Sequence, residues 1–127
     1  MKKWLFIALT AVLLGAPTPT NAAGCDRPKP GFDQMYCLWQ LLVQADKDMN
    51  DAYRELRGKL NPQQQQLLRT SQLAWLAKRD AAAQGRLEGQ VVWYTSVVTD
   101  MTIERTAWLK ARIRECNSTG CDSSKLK

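Results

Sequence analysis

From about Asp33 the apolar residues of this chain recur at helical spacing. Leu38, Leu42, Ala45, Met49, Ala52, Leu56 and Leu60 follow one another at steps of three and four, which stacks them on one face of an α-helix. Gln44, Lys47, Asp48, Asp51, Arg54 and Arg57 fall on the opposite, solvated face. Asn61-Pro62 interrupts the pattern. Proline pushes the residue before it out of the helical region and is itself tolerated at a first helical position, where an N–H would be unpaired anyway. The first helix therefore ends near Leu60 and a second begins at Pro62, with Asn61 suited to cap it. The glutamine run Gln63 to Gln66 then supplies four good helix formers.

The second helix is expected to reach about Gln84, with Leu68, Gln72, Trp75, Arg79 and Ala82 sharing a face. Gly85 and Gly89 bracket Arg86-Leu87-Glu88, where the chain turns. The following stretch is ambiguous. Its opening, VVWYTSVVT, is rich in β-branched and aromatic residues, as a strand would be. Val91, Tyr94, Val98, Met101, Arg105, Trp108 and Arg112 nevertheless hold helical steps, and the run is long for a strand, so Gln90 to Cys116 reads as a third helix. The fold class expected is all-α: a three-helix bundle, made of a long antiparallel hairpin with a third helix against it. The polar tail from about 117 is expected to be mobile.

The N-terminus has a different pattern. Lys2 and Lys3 precede an apolar run, Trp4 to Leu14, and then Pro17, Pro19 and the small residues Thr20 to Gly24. This is the order of a secretory signal peptide. The run is well short of the roughly 20 residues that cross a bilayer, so no stable membrane span is expected. Thr20 and Ala22 suit cleavage after Ala22, with cleavage after Ala23 as second choice. Residues 1–22 are thus read as a signal peptide and 23–127 as a single helical domain. Ala22-Ala23-Gly24-Cys25 resembles a lipobox in part. Ala22 stands where a larger aliphatic residue is usual, which favours release over a lipid anchor at Cys25.

Charge and cysteine content narrow the function classes. The formal charge is +6, and loss of Lys2 and Lys3 lowers it by two. That is mildly basic, without the dense basic patch of a nucleic-acid binder. The four cysteines, Cys25, Cys37, Cys116 and Cys121, form an even set in an exported chain and read as two disulfides. There is no histidine and no Cys-x-x-Cys pair, so no metal site or cofactor is expected. Four cysteines allow three pairings. In an up-down-up bundle Cys37 and Cys116 lie at opposite ends, which favours the local bridges Cys25–Cys37 and Cys116–Cys121. No nucleophile motif or phosphate loop is visible, and the acids fall mostly at surface spacings, so no catalytic residue is assigned and the chain is not expected to be an enzyme.

If the turn sits at Asn61-Pro62, residues equally far on either side of it face each other. Asp46, Asn50 and Tyr53 then meet Gln72, Trp75 and Arg79 in a polar-aromatic seam between the first two helices. Such residues can fix helix register or can line a binding site, and the structural role is the commoner one. An Asp46–Arg79 pair, if truly buried, would cost roughly 3–5 kcal/mol to break.

The stretch Cys37 to Ala82 resembles the N-terminal domain family named for the lysozyme inhibitor LprI, a family of small secreted helical proteins. The resemblance rests on Cys37, on Asp46, Met49, Asn50 and Tyr53 (D-x-x-[LM]-N-x-x-Y), and on Gln72, Trp75, Leu76, Arg79 and Asp80 (Q-x-x-W-[LI]-x-x-R-D). Cys25 and the later pair Thr102 and Arg105 extend it over about residues 25 to 109. Relatives commonly carry two further cysteines, where this chain has Ala83 and Val97 or Val98. The resemblance implies a protein partner, a lysozyme among the candidates. The alternative is a general interaction module of the cell envelope that inhibits no lysozyme. Loops that could enter an enzyme cleft are Arg86-Leu87-Glu88 and the Cys25 to Gly31 lead, which carries Arg27 and Lys29.

Overall fold

The computed structural model describes Cys25, Arg27 and residues 29–127 of the chain. The expected signal peptide and its cleavage point lie outside the described residues. Three helices dominate: α1 (Phe32–Lys59), α2 (Pro62–Ala83) and α3 (Thr95–Ser118). A two-stranded antiparallel hairpin, β1 (Gln84–Leu87) and β2 (Gln90–Trp93), joins α2 to α3, and a short 3-10 turn covers Ser123–Leu126.

The break between α1 and α2 falls where Asn61-Pro62 dictates. Pro62 opens α2, the Asn61 side chain accepts from Gln64 N–H at 2.9 Å, and the Gln64 side chain accepts from Asn61 N–H at 3.1 Å. This reciprocal cap satisfies two N–H groups that would otherwise lack partners. Gln65 Nε2 donates to the last carbonyls of α1, at Leu60 and Arg57. The glutamine run thus knots the hairpin turn as well as starting a helix.

The third segment departs from its helical reading. Gln90–Trp93 is a strand, and α3 starts only at Thr95. Here the local β-branched and aromatic content prevails over the helical spacing of Val91 and Tyr94. The turn lies at Glu88 and Gly89, both at positive φ (51° and 82°), the backbone that a tight hairpin needs.

α1 lies most closely along α3, and the two run parallel. The contact is made of small and β-branched residues: Ala45 and Ala52 on α1, and Val98, Thr102 and Thr106 on α3, all buried. The buried threonines donate to the carbonyl one turn back, Thr102 to Val98 at 2.7 Å and Thr106 to Thr102 at 2.8 Å. That gives each hydroxyl hydrogen an acceptor within its own helix. Below this contact Met49, Leu56, Leu60, Leu68, Leu109 and Ile113 form the core.

The polar tail, expected to be mobile, packs back on the bundle. α3 continues to Ser118, Cys116–Cys121 closes its end, and the 3-10 turn places Leu126 in the core at 1% exposure. Its composition is polar, but one apolar side chain and one bridge suffice to bring it back. Gln64 Nε2 fixes it further by donating to the Cys121 carbonyl at 2.9 Å. The second bridge is Cys25–Cys37, with Cα atoms 5.5 Å apart, so both disulfides are the local ones. The bundle is therefore three-helical and disulfide-stapled, with the hairpin as a minor β element.

Candidate functional site

Both α1 and α2 pack on α3, and a groove of about 400 Å³ is left between them. Helical spacing brings Asp46, Asn50 and Tyr53 to its α1 wall, and Arg69, Leu73 and Arg79 to its α2 wall. The order follows from the antiparallel hairpin, with Asp46 opposite Arg79 and Tyr53 opposite Arg69. Met49, Gln72 and Leu76 complete the lining. The seam expected inside an interface is thus an open cleft.

Arg79 is the best-held residue of the groove. Its Nη1 donates to Asp46 Oδ1 and to Thr102 Oγ1, both at 3.4 Å, and its Nε and Nη2 donate to Asp80 Oδ1 at 3.0 Å. The Asp46 side chain remains 45% exposed, so this ion pair is far from the buried limit. Trp75 departs from its expected place. It does not line the groove but packs half-buried against the core, and the guanidinium carbons of Arg79 and Arg105 lie 5.3 and 5.7 Å from its ring centre.

From Trp75 the stacking continues along α3. Arg105 lies 4.0 Å from the Trp108 ring centre, and Arg112 sits 5.4 Å from the same ring. Cations over indole faces are stabilising, more so where water is excluded. Arg105 is 8% exposed, yet its partners are neutral: Nε donates to Gln72 Oε1 at 2.9 Å and Nη2 to Ser71 Oγ at 3.0 Å. Burial pushes its pKa down to about 10, against a small opposing effect of Tyr53. These bonds and stacks join α2 to α3. Ala83 and Val98, at positions where the family resemblance implies cysteines, are both buried.

The end of the bundle that carries the hairpin has a different character. α1 begins there, because α2 returns to it. Phe32, Tyr36 and Trp39 on α1 and Leu87, Val91 and Trp93 on the hairpin are all exposed, Phe32 at 82%, Trp39 at 54% and Trp93 at 53%. Arg27, Lys29, Arg86 and Glu88 are exposed at the same end. Strand register puts Arg86 beside Val91 and Gln84 beside Trp93 on one hairpin face. The opposite end is closed by Leu60, Cys121 and Leu126.

Sequence reasoning missed Arg69 and Ser71, which sit at ordinary surface spacings of α2, and it missed the aromatic end. The steps Phe32, Tyr36, Trp39 are the signal that could have found it. An apolar stripe there lies off the line of Ala45, Met49 and Ala52, so one α1 surface had to lack a cover within the bundle.

A family model described as lysozyme inhibitor LprI matches residues 25–109. No curated protein and no solved structure gives a significant match to the chain.

Proposed function

The chain belongs to the LprI lysozyme-inhibitor family, and from that premise we propose that its folded domain is an exported, non-enzymatic protein-binding module that inhibits a lysozyme. The observation that carries this is the aromatic end. Three aromatic side chains there, each at least half exposed, present on the order of 100 Å² apiece, and Leu87 and Val91 of the hairpin are exposed at the same end. Contiguous apolar surface of several hundred Å² is rare on a monomer except at interaction sites. The opposite end of the same bundle is sealed, so the exposure is not a general looseness of the core.

The chemistry of the hairpin fits an inhibitor. Lysozyme-type glycosidases act through two carboxylates in a cleft. A narrow two-stranded projection with Arg86 beside its tip and Leu87, Val91 and Trp93 around it offers a cation to such carboxylates and apolar surface to the cleft walls. Export is supported by the disulfides: all four cysteines are bonded, as in an oxidising compartment. No helix among the described residues is long and apolar enough to cross a membrane.

The test is titration of the mature protein into lysis of cell-wall substrate by c-type and g-type lysozymes. Inhibition of either is expected, and the double change Leu87→Ala with Trp93→Ala should weaken it about 30-fold or more, as for a hot-spot pair. Absence of inhibition at micromolar excess would leave the general envelope interaction module in its place.

A further inference from the structure

We infer that the groove between α1 and α2 is a second binding site, taking a short acidic peptide with an aliphatic residue next to its carboxylate. Its volume of about 400 Å³ lies within the range of sites built for small ligands and suits two or three residues. The groove is preformed, since Arg79 is held by Asp46, Asp80 and Thr102, and Gln72 by Arg105 and the Met49 sulfur. Asn50, Tyr53 and Arg69, by contrast, make no side-chain hydrogen bond among the described residues, although all three line the cleft.

Charge selects an anion. Three guanidiniums stand at or beneath the groove: Arg69, Arg79 and Arg105. Only Arg79 has carboxylate partners. Arg105 is buried behind Gln72 with neutral partners alone, and a buried charge gains from a nearby opposite one. Arg69, exposed and uncommitted, can take a carboxylate in a two-pronged bond. The apolar part of the lining is mostly aliphatic, Met49, Leu73 and Leu76 beside the single ring of Tyr53, with Leu73 55% exposed. An aliphatic side chain finds three such residues there, whereas a sugar ring, which stacks on flat aromatic faces, finds only Tyr53.

This site lies away from the hairpin and does not rest on the inhibitor reading. The experiment therefore contains no lysozyme. Acetyl-Leu-Glu with a free carboxylate is titrated into the labelled mature protein, and the side-chain NMR signals of Asn50, Gln72, Arg69 and Arg79 are followed. Saturating shifts are expected up to about 10 mM, the range of one charge-assisted contact. The neutral amide acetyl-Leu-Gln-NH2 should bind about tenfold more weakly, and so should Arg69→Gln for the acidic peptide. Arg69 is exposed and without partners, so its variant folds as the parent does. No saturable shift, equal binding of the neutral peptide, or tighter binding at the same signals by a chitin oligosaccharide would each overturn the proposal.

Discussion

Arg105 Nε donates to Gln72 Oε1 at 2.9 Å, which makes a neutral amide the main answer to a buried cation across the α2–α3 interface. Gln72→Ala would leave that guanidinium short of an acceptor in a place water hardly reaches. A hydrogen bond to a charged group is worth about 1.5–3 kcal/mol. For a domain near 100 residues each kcal/mol moves the midpoint by about 4–8 °C. The expected result is a lowered Tm in thermal unfolding, with blunted loss in the Arg105→Met background, where no cation is left to satisfy.

The carboxyl-terminal turn can be tested through Leu126. Its side chain is fully enclosed by the core, so Leu126→Ala should cost about 2–5 kcal/mol. Chemical denaturation gives the value directly. A change within about 0.5 kcal/mol, the ordinary result for a surface site, would mean that the turn does not hold its place in solution.

Gly85 and Tyr94 form a second sensitive pair. A Cβ at Gly85 would overlap Tyr94 Cε2, so Gly85→Ala must displace the ring. Overpacking of this kind costs about 1–3 kcal/mol. The double variant with Tyr94→Ala should recover part of the loss, and a double-mutant cycle measures how much.

Acid should loosen the same carboxyl-terminal turn. The Asp122 carboxylate accepts from the Ser124 hydroxyl at 2.8 Å and from Ser124 N–H at 2.9 Å, and these bonds hold its pKa below the usual carboxylate range. The contribution is therefore complete above the unfolded-state pKa and is lost as pH falls through the lower, folded-state value. Asp122→Asn should lower the melting temperature near neutral pH, and the gap from the parent should close at the acid end of a pH series.

Much of this architecture is legible in the residues. The step pattern of α1, the Asn61-Pro62 break and the pairing of Asp46 with Arg79 all follow from local rules, because hairpin geometry needs only the position of the turn. Two features escaped for physical reasons. The strand Gln90–Trp93 carries both a helical and a β pattern, and the tight turn at Glu88 and Gly89 decides between them only once β1 is present to pair. The openness of the groove depends on which helix α1 prefers, and that is set by Ala45 and Ala52 meeting Thr102 and Thr106 across more than fifty residues of chain. The pairing of α1 with α2 alone cannot reveal it.

The parallel contact of α1 with α3 also orders events in time. A simple helical hairpin could fold as soon as its second arm exists, but here the closest neighbour of the first helix is the last one made. Loop closure over most of the domain precedes the main apolar gain, which slows folding relative to bundles built from sequential neighbours. A growing chain of this sequence would stay unfolded until α3 is complete, the condition in which a polypeptide can be threaded through a narrow channel.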